Sequence, residues 1–137
     1  MAKAAGVCLR ALAPILVAMA PVASHALEGD AGRGERAFQR CYSCHSVDPN
    51  EKAKLQGPTL YRILGRPAAA IRDFEYSNAM RAKAAAGLIW TATTLDRYIA
   101  DPESVVPGTR MSMPPLRDDQ ERADLIAYLA VSGQYSP

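Results

Sequence analysis

Five consecutive residues, Cys41-Tyr42-Ser43-Cys44-His45, constrain this chain more than any other feature. Thiols three positions apart lie one helical turn from each other, so both can reach along one edge of a flat partner. The adjacent imidazole can then turn beneath that partner's centre. This C-x-x-C-H order is the attachment signal of a c-type haem, with the thiols meeting its two vinyl groups and His45 holding its iron. Other uses of paired cysteines fit less well. A thioredoxin-like redox pair needs a strand leading into a helix, and no segment here alternates convincingly as a strand. A zinc site needs four ligands, whereas after residue 26 the chain holds no further Cys or His. A disulfide between Cys41 and Cys44 would close too small a loop to contribute much.

The first 26 residues have the layout of a secretory signal. Lys3 and Arg10 give a positive start, and an apolar run follows over residues 11–23. Ser24-His25-Ala26 puts small residues where a signal peptidase reads, so cleavage is expected after Ala26. The run is short for a bilayer span and is interrupted by Pro14 and Pro21, which argues against a permanent anchor. Cys8 lies too early to be a lipid-attachment cysteine. The expected organisation is a signal peptide over residues 1–26 and one domain over 27–137. An uncleaved signal tethering that domain to the membrane is the alternative. Lys3 and Arg10 are two of the 16 basic residues; without them fourteen face 14 acidic ones, for a mature net charge of zero. A nucleic-acid binder would show a basic excess. Export also suits the cysteines, because c-type haem is attached outside the bacterial cytoplasm; the expected compartment is the periplasm.

Hydrophobic residues make up 49% and charged residues 22%, a globular balance. Aromatics are 7%, so a large apolar cofactor would help fill the interior. A first helix is expected over residues 30–40, where Ala31, Gly34, Ala37 and Phe38 recur at helical spacing. A polar loop follows, then a turn at Gly57-Pro58 and a short apolar piece ending at Gly65. A short helix is expected over 78–86. Thr93 or Thr94 can cap another over 95–100, which Asp101-Pro102 ends. Residues 105–116, with Pro107, Pro114 and Pro115, are expected to be irregular. A last helix starts at a capping Asp118, lines one face with Leu125, Tyr128, Leu129 and Ser132, and stops at Gly133. The fold class is all-α: three main helices plus short helices and long loops wrapped around one haem. Long ordered loops need an organiser, and a buried prosthetic group is one.

An iron held by one imidazole is either open or closed by a second side chain. No second His is available in the mature chain, so methionine is the natural partner; a thioether favours reduced iron and raises the potential. The candidates are Met80, Met111 and Met113. Pro107-Gly108 forms a rigid turn that can present Met111 across a flat cofactor. Met113 is expected to cover the haem, and Met80 to pack in the core.

With C-x-x-C-H near the start of the mature chain and Pro107-Gly108-Thr109-Arg110-Met111 near its end, the sequence resembles the class I c-type cytochromes. It is similar to mitochondrial cytochrome c and its soluble bacterial relatives over residues 29–132. The resemblance implies the cytochrome c fold, with Gly34 and Phe38 of the first helix crossing Leu125 and Tyr128 of the last. It implies that the Pro58 carbonyl accepts the His45 ring N–H, fixing the tautomer. Arg66 matches an arginine near a haem propionate, and Tyr76 and Trp90 match propionate hydrogen-bond donors, with Thr109 as a further one. Tyr98 matches a tyrosine whose hydroxyl lies near the ligand sulfur. The sequence departs from the mitochondrial pattern by lacking one residue between Phe38 and Cys41. The stretch from Tyr76 to Trp90 is longer, which leaves Asn78 as the candidate for the family's buried asparagine. Met113 stands in place of the usual aromatic. Arg40, Lys52, Lys54, Lys83 and Arg110 can form a basic ring around the exposed haem edge.

The expected function is that of a periplasmic, monomeric electron carrier. Its redox partners dock at that edge, and it has no enzymatic activity or nucleic-acid ligand. A haem enzyme or gas sensor with an open iron site is the alternative, disfavoured because no distal acid–base group stands out.

Overall fold

The computed structural model describes residues 27–132, together with Met1. The expected signal and the stop at Gly133 lie outside the described residues. Among the described residues five helices follow one another: α1 (Ala31–Phe38), α2 (Asn78–Ala85), α3 (Ala92–Ala100), α4 (Pro102–Val105) and α5 (Asp119–Val131). Among the described residues there is no strand, only an isolated antiparallel bridge between Pro67 and Ile89. None of these helices is long and apolar enough to cross a membrane.

Capping chemistry sets the helix starts. Asp30, Ser77, Thr91, Asp101 and Asp118 each accept a backbone N–H from the turn they open, satisfying donors that a helix start leaves free. The cap of α3 is Thr91, not Thr93 or Thr94. Thr94 instead closes a capping box: its hydroxyl accepts the Thr91 N–H at 2.7 Å while its own N–H donates to Thr91 Oγ1 at 3.1 Å. Asp101-Pro102 both ends α3 and begins α4, because proline at the first helical position needs no N–H partner. Gly87, at φ +85°, ends α2: its N–H reaches Ala84 O at 2.9 Å and that of Leu88 reaches Lys83 O at 3.0 Å, a Schellman closure.

The first and last helices form the frame. A Cβ on Gly34 would lie 2.0 Å from the Asp124 carbonyl oxygen, so only glycine lets α1 and α5 cross this closely. Phe38 and Tyr128 meet beside the crossing, ring centroids 5.4 Å apart. Leu125 and Val106 are the most completely buried large side chains; with Ile63, Trp90, Leu95, Tyr98, Ile99, Leu116 and Leu129 they make one core. Asp124 is a buried charge in the frame. It accepts from Arg33 Nε at 2.6 Å and from Asp30 N at 2.8 Å, tying the start of α1 to α5.

Candidate cofactor site

The chain leaving α1 stays wound through the cysteine motif. Cys41 N donates to Phe38 O at 2.7 Å, and Cys41 O accepts from both Cys44 N and His45 N at 3.0 and 2.9 Å. That turn sets two half-buried thiols one turn apart, and both are free rather than joined. Burial, with Cys44 close by, pushes the Cys41 thiol up to about 11. Cys44 lies against Gln56 Oε1 at 3.8 Å.

His45 is held from two sides. Its Nδ1 lies 2.7 Å from the Pro58 carbonyl. A carbonyl can only accept, so Nδ1 carries the proton and the Nε2 lone pair is left for a metal. Burial pulls the imidazole below its ordinary range, which keeps it in the neutral form that ligates. Gly57 supplies the cradle: a Cβ there would stand 2.2 Å from His45 Cε1. The loop is stitched back to the motif by Gly57 N to Cys44 O and Leu60 N to Ser46 O, both 2.8 Å.

A second group of side chains begins at Arg66. Its guanidinium donates to Thr59 O at 2.6 Å and Tyr61 O at 3.1 Å. Among the described residues no carboxylate pairs with it, and burial lowers its pKa. A half-buried cation served only by carbonyls is suited to an anionic group such as a carboxylate. Tyr76, whose pKa burial raises, feels the Arg66 charge. Backbone pairing carries this region to Trp90, through Gly65 N to Trp90 O at 2.9 Å and Trp90 N to Arg66 O at 3.0 Å.

The Trp90 ring packs on Tyr98, centroids 5.0 Å apart. The Tyr98 hydroxyl lies 2.7 Å from Thr109 Oγ1, which also accepts Met111 N at 3.2 Å. Thr109, expected beside a propionate, is therefore engaged by Tyr98 and by the backbone of Met111. Gly108, at φ +82°, donates its N–H to Glu103 at 2.9 Å, which confirms a tight turn ahead of Met111. Met80, Met111 and Met113 are all half-buried and pack against the core. Asn78 is exposed and its amide oxygen accepts from Arg81, so it is not a buried asparagine.

The structure thus brings His45, Gly57 and Pro58 together, places Arg66 near Tyr76, and links Trp90, Tyr98, Thr109 and Met111 in sequence. Paired free thiols, a neutral imidazole with its outer nitrogen unspent, a space only glycine leaves and an uncompensated cation fit the haem that the motif implies. Glu103, whose carboxylate pins the turn, is a contributor the sequence alone did not reveal; its place five residues before Gly108 was the available signal. A groove of about 450 Å³ lined by Ala100, Asp101, Pro115, Arg117, Asp119 and Arg122 contains none of these residues.

Comparison with known proteins agrees with this geometry. The family model for cytochrome c matches residues 31–132. The chain is similar to a cytochrome c2 of Agrobacterium tumefaciens, 39% identical over 110 residues, which cover 80% of this chain and 98% of the relative. It is 45% identical over 103 residues to a cytochrome c type-1 of Ascaris suum, covering 74% of this chain and 88% of the relative. Among solved structures, cytochrome c2 from Rhodospirillum centenum superposes with a TM-score of 0.70 at 34% identity, covering 80% of this chain and all of that one.

Proposed function

The chain belongs to the cytochrome c family, has its fold and carries one covalently attached haem c, and on that premise we propose that it is a periplasmic carrier of single electrons. It is an electron-transfer protein, not an enzyme. When bound, the haem iron supplies a one-electron couple between its reduced and oxidised states.

In this reading Cys41 and Cys44 would hold the haem through thioether links and His45 Nε2 would bind its iron. Pro58 holds the ring's proton at Nδ1, and Gly57 leaves room for the ring. Met111 would be the second protein ligand to the iron, presented by the Pro107-Gly108 turn and steadied through Thr109 and Tyr98. Two protein ligands kept in both redox states would leave little to rearrange on electron transfer, and a thioether would favour the reduced state. Arg66, Tyr76 and Trp90 offer charge and hydrogen-bond donors to the propionates. Partners, a membrane donor complex and an oxidase, reaction centre or dehydrogenase, dock at the exposed edge beside Arg40, Lys52, Lys54, Lys83 and Arg110. Brief, weak contacts suit repeated docking. Residues 1–26 direct export and are removed, leaving a monomeric domain over 27–137.

The observation that carries this reading is the C-x-x-C-H turn with His45 Nδ1 on the Pro58 carbonyl, 2.7 Å away. The test is the absorption spectrum of the oxidised holoprotein. A weak far-red band marking the thioether–iron bond is expected, and Met111→Ala should abolish it while making the reduced protein bind carbon monoxide. Survival of the band in that variant rejects Met111 as the ligand.

A further inference from the structure

The segment that carries Met111 is fastened at its two ends, with one side-chain bond between them, from Met111 N to Thr109 Oγ1 at 3.2 Å. Upstream, Glu103 holds Gly108 and Tyr98 holds Thr109. Downstream, Leu116 N donates to Ile99 O at 3.1 Å, and Leu116 O accepts from Arg122 at 2.9 Å. Among the described residues no backbone–backbone hydrogen bond is made from residue 110 to 115, and Pro114 and Pro115 have no N–H to give.

Arg122 interrupts the buried face of α5. Its side chain is only 9% exposed, although it lies on the same face as Leu125 and Leu129. Its guanidinium divides among three elements: Nε donates to Asp96 on α3 at 2.7 Å, the terminal nitrogens to Leu116 O and to Asp119 in the first turn of α5. Asp96 and Asp119 side chains are 42% and 71% exposed, so water screens those ion pairs. The bond to Leu116 is buried, and a carbonyl deprived of it inside the closed structure finds no substitute. In an opened segment the same carbonyl meets water. Loss of the bond therefore favours opening over closure.

We infer that Arg122 is a positioning residue for the second axial ligand: by binding Leu116 to α3 and α5 it closes the downstream end of the methionine segment and sets how often Met111 leaves its place. This rests on the reading of Met111 as that ligand. Lysine at 122 keeps the charge but loses the planar fork that serves three acceptors at once. A hydrogen bond from a charged donor to a buried acceptor is worth about a tenfold change or more in such an equilibrium.

The experiment titrates oxidised holoprotein with imidazole, which takes the position a departing thioether vacates. Apparent affinity then scales with the open fraction. Arg122→Lys is expected to bind imidazole about tenfold more tightly than the parent. Arg33→Lys, which disturbs the ion pair at Asp124, two residues on but on another face of α5, serves as control: it should lower the denaturant midpoint without changing imidazole affinity. Unchanged imidazole affinity in Arg122→Lys overturns the inference. So does a shift that merely follows lost global stability in both variants. Should Arg122→Lys fail to fold, Asp96→Ala leaves Arg122 in place and removes the α3 acceptor of its Nε. That variant should tighten imidazole binding in the same direction, and no change in it also overturns the inference. Failure of the underlying ligand reading is distinct, because the far-red band would then survive Met111→Ala.

Discussion

Replacing Gly57 by alanine would put a Cβ 2.2 Å from His45 Cε1, 2.5 Å from Nδ1 and 2.6 Å from Nε2. Non-bonded carbon atoms settle at about 3.5–4.0 Å, so ring and loop would have to part by roughly 1 Å. The ring has little freedom to yield while Nδ1 is held 2.7 Å from the Pro58 carbonyl; moving it that far breaks the bond. Overpacking costs about 1–3 kcal/mol, and the lost hydrogen bond about 0.5–1.5 kcal/mol. One effect works the other way. Gly57 is not among the glycines of positive φ, so alanine also restricts the unfolded chain, worth about 0.4–1 kcal/mol of stabilisation. The balance is a destabilisation of about 1–3 kcal/mol, or roughly 5–20 °C in Tm for a domain near 100 residues. Thermal unfolding of the holoprotein, followed by circular dichroism, measures it. A Gly57→Ala protein as stable as its parent, or more so, would refute the cradle, because backbone entropy alone predicts that sign.

Gly32 offers the opposite case: it lies exposed in α1 with Asp30 Oδ1 the nearest atom to an added Cβ, at 3.4 Å. Gly32→Ala is expected to stabilise by about 0.5–1 kcal/mol in the same melt, and a loss of stability would show the helix start to be more crowded than described. The Asp124 carboxyl is held well below the usual carboxylate range, chiefly by the Arg33 side chain and then by the Asp30 N–H, with burial opposing. A carboxyl depressed on folding stabilises fully above its unfolded value, near pH 3.9, and loses that contribution as pH falls through the folded one. Asp124→Asn should therefore lower stability at pH 7 and flatten the acid limb of stability against pH; parallel acid limbs for parent and variant, measured by denaturant titration, would contradict the pairing.

Much of the site was legible because its chemistry is local in sequence. The cysteines, His45 and the Gly57-Pro58 turn declare themselves by residue type and spacing, and the acidic cap Asp118 stands directly before its helix. What escaped depended on partners distant along the chain or on signals with two readings. Thr91 caps α3 through a box closed by Thr94 rather than the more familiar Glu or Gln, so the later threonines looked like equal starts. Asp101-Pro102 reads as a stop, yet a proline also opens a helix, and α4 is the result. The pairing of residues 65–68 with 88–90 is too short to alternate. Arg122 and Asp124 were hidden because a charge on a buried helix face has meaning only once Leu116, Asp96, Arg33 and Asp30 are brought to it. Thr109 shows the same limit: that its hydroxyl also meets Tyr98 appears only once α3 is packed against the Met111 segment.

The covalent link between chain and haem is tested most directly by intact mass after acid–organic extraction of the purified protein. The expected polypeptide remains coloured and is heavier than its sequence by one haem, and proteolysis places that added mass on the peptide holding Cys41 and Cys44. A colourless polypeptide of unmodified mass, with any pigment in the organic phase, would contradict the account.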